Sequence, residues 1–156
     1  MNWINGGTDR ATTLASVPEL AGTFKALYES FWTQPHIPGM TLELCRLRLA
    51  QLHNSDLEWA RKDCEIGAGK REQLAGWSSC DGFTHAERAC IEFTEIYAMD
   101  AQAITDDIAA AVKGHYGDAG LVALVEALGI FDGMTRLSLL WQLSAPDVAK
   151  NGGQGE

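Results

Sequence analysis

Acidic and basic side chains that could move protons lie close together in residues 41–62, TLELCRLRLAQLHNSDLEWARK. Glu43 and Glu58 could supply a pair of carboxylates, in which burial and the charge of one acid keep the other protonated. Lys62 could hold an anionic substrate, and burial would have to lower its pKa for it to carry protons near neutral pH. This combination could support acid–base chemistry on a small substrate, because it places groups that give or take a proton beside a group that can hold an anion.

Four further side chains of this stretch are candidates for substrate binding. Arg46 could help to hold an anion, and Arg48 is an alternative for the same role. His53 could share in proton transfer, and Ser55 could donate a hydrogen bond to the substrate. Trp59 could form a wall of the pocket. The sequence signals no metal site and no organic cofactor.

The same residues have a structural interpretation, which the pattern alone favours. Ser55 and Glu58 have the spacing of an ordinary capping box, and Glu58 with Lys62 has the spacing of an exposed i, i+4 pair on a helix. Glu43 could simply pair with Arg46 one turn further on. The structural interpretation explains Glu43 less well than it explains Ser55, Glu58 and Lys62, because Glu43 lies among apolar residues.

Hydrophobic spacing predicts that residues 41–62 are two helices that meet at a polar corner. Residues 53–56 break the apolar pattern of the first helix, and Asn54 or Ser55 can cap the second. Gly67 and Gly69 are expected to end that second helix. The apolar face of the first helix consists of Leu42, Cys45, Leu49 and Leu52.

The remaining chain also predicts helices, because no alternating β-type pattern of useful length occurs. Tyr28 belongs to the apolar stripe of one of them, and Asp132 with Arg136 is predicted to form a buried or interface ion pair on the last. The predicted helices run from Pro18 to about Trp32, from Lys70 to Trp77, onward from a capping box at Thr84, from Thr105 to a break at Gly114–Gly117, and from Asp118 to about Leu143. The chain is therefore predicted to be all-α, with about seven helices.

Composition predicts one compact domain and excludes several partner classes. The chain has 156 residues, 46% of them hydrophobic, and a formal net charge of −9. We expect a polar arm over residues 1–16, one helical domain over residues 17–145 and a flexible tail over residues 146–156. The acidic charge argues against nucleic acid and anionic membrane as partners. Without a membrane-spanning run or a secretory signal, a cytoplasmic location is expected.

The four cysteines do not form a recognisable metal or disulfide motif. None is in a Cys-x-x-Cys pair, and none has the spacing to a histidine that zinc sites use. Cys45 and Cys90 lie on apolar helical faces and are expected to be buried. Cys64 and Cys80 lie nearer to helix ends and could be exposed.

Several segments together resemble the carboxymuconolactone decarboxylase family. They are ELCRLRLAQLHNS, a short helix up to Trp77, FTHAERA, and FDGMTRL within the last helix. The similarity spans roughly residues 15–145 and is closer to the alkylhydroperoxidase D-like branch. This resemblance implies an alkylhydroperoxidase D-like helical bundle, assembly as a homo-oligomer (trimer or hexamer), and an active site near subunit contacts.

The active-site corner departs from the pattern of the peroxidase branch, which has a Cys-x-x-Cys, a histidine four residues later and an upstream acid. The upstream acid matches Glu43, but Ser55 and Glu58 stand at the cysteine positions and Lys62 at the histidine position. Because disulfide cycling needs two sulfurs within reach of each other, no disulfide-type peroxidase activity is expected. The decarboxylase branch has a glutamate followed four residues later by histidine, and here Glu58 matches while Lys62 replaces the histidine.

With this resemblance, the functional expectation is a cofactor-free acid–base enzyme that transfers a proton at carbon. It would decarboxylate or isomerise a small lactone, enol acid or other carboxylic acid, and the substrate is expected to be anionic. One alternative is a catalytically silent relative that serves as a binding or assembly protein. Another is a hydroperoxide reductase that uses the single thiol of Cys64, whose pKa the ammonium of Lys62 could lower. This last alternative ranks lowest, because positions two apart on a helix do not face each other.

Overall fold

The computed structural model describes residues 3–4 and 8–144. Over these residues the chain forms seven α-helices, two short 3-10 helices and no β-strand, which confirms the predicted all-α class. The α-helices are α1 (Arg10–Leu14), α2 (Pro18–Thr33), α3 (Gly39–Leu52), α4 (Asp56–Ala60), α5 (Lys70–Gln73), α6 (His85–Met99) and α7 (Asp106–Leu140). The 3-10 helices are Leu74–Ser79 and Ala101–Ala103.

Helix α3 is the centre of the fold, and α6 and α7 form its main packing partners. The predicted apolar face of α3, with Leu42, Cys45 and Leu49, packs into the main hydrophobic cluster. Leu44 and Leu47, which lie outside that face, are also fully buried and pack in a second cluster. Because α3 is covered on two sides, its polar residues Glu43 and Arg46 are buried as well.

Helix α4 is much shorter than predicted, so Lys62 lies outside the helix on which the sequence predicted it. Ser55 caps α4 as expected, but the helix ends at Ala60, and Arg61 has extended backbone angles (φ −68°, ψ 150°). Arg46 donates hydrogen bonds to the carbonyl groups of Glu58 and Arg61. In a longer helix these two carbonyl groups would accept hydrogen bonds from backbone N–H groups. Here they accept them from the side chain of Arg46. The predicted i, i+4 pair of Glu58 and Lys62 on one helical face is therefore wrong, since Lys62 is exposed beyond the helix.

Helix α7 consists of two helical segments that meet at a kink, as the sequence predicted for residues 114–117. The side chain of Thr105 caps it, as expected, and the helix continues to Leu140 rather than to Leu143. The backbone leaves the helical region only at Gly117 (φ 68°, ψ −174°), which lies within the predicted break. This conformation is open almost exclusively to glycine.

The N-terminal region contributes to the core more than its polar composition predicts. Asp9 caps α1 by accepting a hydrogen bond from the backbone N–H of Thr12. Within α1, Arg10 is only 4% exposed, so part of the predicted arm (residues 1–16) is packed against the domain. The predicted tail (146–156) lies outside the described residues. Among the described helices, none has both the length and the hydropathy to cross a bilayer.

Candidate functional site

Arg46 lies at the centre of a buried ionic cluster beneath the α3–α4 corner. Its side chain is 1% exposed, and its Nε and Nη2 atoms donate to both carboxylate oxygens of Glu43 at 2.8 and 2.7 Å. A guanidinium that binds both oxygens of a carboxylate forms one of the stronger protein ion pairs. The proposed alternative for Glu43, a pairing with Arg46 one turn further on, is therefore confirmed.

Glu58 is the second acid of the cluster, and elements far apart in the chain supply its partners. Its Oε1 atom accepts from Arg10 Nη2 at 2.5 Å and from Ser138 Oγ at 2.8 Å. Its Oε2 atom lies 3.4 Å from Arg46 Nη1 and 3.6 Å from Arg61 Nε. Glu58 thus connects α4 with α1, α3 and α7. Its carboxylate bonds to these elements rather than to the backbone N–H of Ser55, which donates to the carbonyl of Ala50, so only the Ser55 half of the predicted capping box forms.

Asp63 is the third acid, and it connects the cluster to a tyrosine. Arg46 Nε lies 3.1 Å from Asp63 Oδ2, and Arg61 Nη2 donates to Asp63 Oδ1 at 3.0 Å. The hydroxyl of Tyr28 donates to Asp63 Oδ2 at 2.6 Å. Three arginines and three carboxylates (Arg10, Arg46, Arg61, Glu43, Glu58, Asp63) therefore form what we call the ionic cluster.

The arrangement of Glu43 and Glu58 in the ionic cluster differs from the predicted pair of adjacent carboxylates. Arg46 lies between Glu43 and Glu58 and contacts both, so the predicted acid pair is replaced by an acid–arginine–acid arrangement. Its positive charges also affect Asp63. Although burial disfavours the charged form, the neighbouring Arg61 and Arg46 hold the pKa of the Asp63 carboxyl below its ordinary value. Burial, with the charge of Asp63, raises the pKa of Tyr28, whose hydroxyl therefore keeps its proton.

A cavity of about 420 Å³ opens beside the ionic cluster, between α1, α2 and the segment after α4. Arg10, Arg61 and Asp63 contribute their charged side chains to it, and Tyr28 adds its aromatic ring. Its walls are otherwise mostly apolar. Further lining residues are Ala11, Leu14, Ala21, Phe24, Lys25, Glu29 and Trp32.

The residues predicted for substrate binding do not all meet at this cavity. Ser55 is buried and accepts a hydrogen bond from the backbone N–H of Glu58, and together with Trp59 it lines a second cavity. Glu43 and Lys62 line a third, smaller cavity of about 160 Å³. The structure therefore brings Glu43, Arg46 and Glu58 together and distributes the other predicted residues around them.

His53, at the C-terminal end of α3, belongs to a separate polar group that it forms with two residues of α7. Its Nε2 atom lies 2.5 Å from Asp132 Oδ1, and Asp132 Oδ2 accepts from Arg136 Nε at 2.9 Å. The predicted Asp132–Arg136 pair thus forms, although Arg136 is 61% exposed and only Asp132 is shielded. The pairing orients His53 towards α7.

Four residues of the site were not predicted as functional: Arg10, Arg61, Asp63 and Tyr28. Arg10 lies in a stretch that predicts a polar arm, and Asp63 lies beyond the expected course of α4, so neither had a local signal. Tyr28 did have one, because a buried tyrosine hydroxyl usually requires a hydrogen-bond partner.

The cysteines do not provide a redox pair, since no two of the four lie at disulfide distance and all are free thiols. Cys45 and Cys90 are fully buried, as predicted, and burial raises the pKa of Cys45 to about 12. Cys64 is partly exposed, but burial and then the charges of Glu43, Glu65 and Asp63 raise its pKa. The surroundings of Cys64 thus oppose the thiolate form that a single-cysteine peroxidase needs.

Comparison with known proteins identifies a solved structure with a similar fold and a distantly related sequence. No family model matches the chain. It is similar to the uncharacterized protein YdfG of Bacillus subtilis (strain 168), with 28% identity over 71% of this chain and 80% of that protein. It is also similar in structure to ATU0492 of Agrobacterium tumefaciens, a protein of unknown function described as a candidate antioxidant defence protein AhpD. That match has a TM-score of 0.74 at 17% identity and covers 94% of this chain and 99% of the other.

The chain therefore has an AhpD-like fold. This confirms the fold that the sequence resemblance implied. At 17% and 28% identity the comparisons support the fold and not a particular activity, and both relatives are themselves without an assigned function. Membership of the carboxymuconolactone decarboxylase family stays a prediction, as does assembly into a trimer or hexamer.

Proposed function

We propose that this protein is a cofactor-free acid–base enzyme that acts on a small carboxylic acid or lactone and has no disulfide-type peroxidase activity. The observation that carries the proposal is the ionic cluster, which reaches a ligand-sized cavity through Arg10, Arg61 and Asp63. Cavities of about 300–1,000 Å³ are typical of small-molecule sites. The cluster occupies the corner where the resemblance would place two thiols.

Proton transfer in this proposal is assigned to Asp63 and Tyr28 rather than to Glu43, Glu58 and Lys62. Asp63 presents a carboxylate, and Tyr28 presents a protonated hydroxyl 2.6 Å away. Because its pKa is lowered, Asp63 is a weak base. The reaction must therefore depend on stabilisation of an enolate-like charge by Arg10 and Arg61, whose charges are already in position before the reaction.

Glu43, Glu58 and Arg46 have a positioning role in this scheme. Glu58 binds Arg10 and lies beside Arg61, and Glu43 binds Arg46. Their hydrogen-bonding capacity is used within the ionic cluster, and so they hold the charged groups that line the cavity. Lys62 is exposed and is given no catalytic part.

Deuterium exchange at carbon tests this function. The wild-type protein would be incubated in D₂O with enolisable 2-oxo acids, 3-oxo acids and lactones, and exchange or loss of carbon dioxide followed by ¹H NMR. We expect turnover of at least one compound, and a reduction of about 100-fold or more in Asp63→Asn, because a positioned base contributes roughly 10²–10⁴-fold. The control is Asp118→Asn, since Asp118 is 83% exposed and lies outside the cavity.

The second candidate function is binding without turnover, and the charge balance of the ionic cluster favours it. Each of the three carboxylates is already paired with an arginine, as in a cluster that only stabilises the fold. Ligand binding without exchange in any compound would support this candidate and contradict the enzyme proposal. Consumption of cumene hydroperoxide with dithiothreitol, lost in Cys64→Ala, would contradict both.

A further inference from the structure

Helix α1 forms one wall of the cavity of about 420 Å³. Three of its five residues, Arg10, Ala11 and Leu14, line that cavity together with residues of α2 and of the segment after α4. Helices this short have little stability of their own, so contacts with the rest of the fold must hold α1 in place. Residues 15–17, which connect α1 to α2, are all exposed, so this connection can bend without disturbing the core.

The buried side chains of α1 are polar, namely Arg10 and Thr13. Arg10 reaches across 48 positions to Glu58 at 2.5 Å, and its guanidinium lies 5.5 Å from the centre of the Tyr28 ring. Within residues 10–14, no apolar side chain is buried, and Leu14 is half-buried. Little hydrophobic free energy therefore holds α1 to the domain. Segments with few buried apolar contacts are the ones that open locally while the rest of a protein stays folded.

The position of α1 in the structure has a cost at Arg10 that opening would remove. The Nη2 atom of Arg10 donates to Glu58, but its Nε atom is buried and has no partner among the described residues. A buried donor without an acceptor costs free energy, because it has lost its hydrogen bond to water. Movement of Arg10 into solvent would restore that hydrogen bond.

Glu58 keeps other donors when Arg10 leaves. Ser138 Oγ donates to its Oε1 atom at 2.8 Å, and Arg46 Nη1 lies 3.4 Å from its Oε2 atom. Arg61 Nε lies 3.6 Å from the same Oε2 atom. The departure of Arg10 thus leaves a carboxylate that is still paired, and this lowers the cost of breaking a buried ion pair.

We propose that α1 is a lid on the cavity and that the Arg10–Glu58 ion pair is its latch. The lid moves about residues 15–17 and opens while the other helices remain folded. Its opening admits a ligand to the cavity and exposes Glu58 to solvent, and its closure returns the charge of Arg10 to the cavity wall. This inference goes beyond the proposed function, because a ligand needs access whether it is converted or only bound.

Trypsin measures the opening in the whole chain, because it cuts after arginine and needs an extended substrate. Cleavage after Arg10 requires that Arg10 leave Glu58 and that α1 unwind. Cleavage after Arg46, which is 1% exposed within α3, requires global unfolding. The initial rates of first cuts at both bonds would be followed by mass spectrometry. We expect cleavage after Arg10 to be at least about tenfold faster, since local opening costs less free energy than global unfolding. Equal rates would overturn the proposal.

The latch is tested with two variants of the ionic cluster that differ in their contact with Arg10. Glu58→Gln removes the charge bound to Arg10 and should raise the rate of cleavage after Arg10 about tenfold, because a hydrogen bond to a charged group is worth about that factor in an equilibrium constant. Glu43→Gln removes a carboxylate that binds Arg46 instead, and it should leave this rate unchanged. An equal rise in both variants would contradict the latch.

Labelling of carboxyl groups with a carbodiimide and glycine ethyl ester provides a second measurement, which still decides the matter if Glu58→Gln fails to fold. Arg10→Met removes the latch but keeps every carboxylate. Labelling of Glu58 should therefore rise in this variant, while labelling of Glu43, which Arg46 still binds, should stay at the wild-type level. Unchanged labelling of Glu58, or an equal rise at both acids, would overturn the proposal. None of these measurements requires turnover, so they are independent of the outcome for the enzyme.

Discussion

Replacement of Arg46 by methionine should destabilise the fold far more than the same change at Arg48, two residues further along α3. Arg46 is 1% exposed and contacts Glu43, Glu58 and Asp63, so its loss leaves buried negative charge without its central cation. Removing one partner of a buried ion pair costs about 3–5 kcal/mol. Native domains have a free energy of unfolding of only about 5–15 kcal/mol, so this is a large share of the total.

Arg48→Met is the matched control because it removes the same type of side chain from the same helix. Arg48 binds Glu95 at 2.7 Å, but the two side chains are 16% and 24% exposed, and water can replace the lost contact. We expect a loss of about 1 kcal/mol or less. Urea unfolding measures both values, and a loss of about 4 kcal/mol lowers the midpoint by about 2 M at a slope of about 2 kcal/mol per M.

A second substitution identifies the cause of the loss. If unpaired negative charge destabilises Arg46→Met, then adding Glu43→Gln should recover part of the free energy of unfolding. Coupling between contacting residues is typically about 0.5–3 kcal/mol. Equal losses for Arg46→Met and Arg48→Met would refute the reasoning, and so would a double variant whose loss is the sum of the two single losses.

Two further predictions concern acid sensitivity and the break in α7. The folded state lowers the pKa of Asp63 below its ordinary 3.8, so the stability that Asp63 contributes is present above about pH 4 and is lost as the pH falls through the lowered value. Urea titrations should therefore show a difference between wild type and Asp63→Asn that is constant from pH 7 to about pH 4 and shrinks below about pH 4, and a difference that does not shrink in acid would contradict this. Gly117→Ala should destabilise the fold by about 1–3 kcal/mol, because alanine avoids φ 68°, ψ −174°. Gly114→Ala, in open space on the same helix, should instead stabilise it by about 0.4–1 kcal/mol, and thermal unfolding in which both variants behave alike would refute the difference.

Local signals predicted most helix starts correctly. Pro18 begins α2, Thr84 forms a complete capping box with Glu87, and Thr105 caps α7. These signals are readable because a cap and its partner are at most three or four residues apart, so the hydrogen bond is contained in one short window of sequence.

The end of α4 was not predictable from such a window. The sequence after Ala60 continues with charged residues that suit a helix, and the first glycine comes only at Gly67. The chain instead turns away at Arg61, because Arg46 binds two carbonyl groups of this region from a neighbouring helix. Contacts between residues twelve or fifteen positions apart produce no periodic pattern in the sequence. For that reason the predicted pairing of Glu58 with Lys62 was wrong.

By itself, the sequence determined the helical class, the positions of several helix caps and the burial of Cys45 and Cys90, and it named Glu43 and Glu58 as candidate site residues. Those predictions were possible because hydrophobic periodicity and helix capping depend on residues that lie close together in the chain. The tertiary structure alone decided what these acids do. Glu58 meets Arg10 across 48 positions and Ser138 across 80. Because a buried carboxylate takes whichever donors the fold places around it, its chemistry depends on residues that no local pattern connects to it.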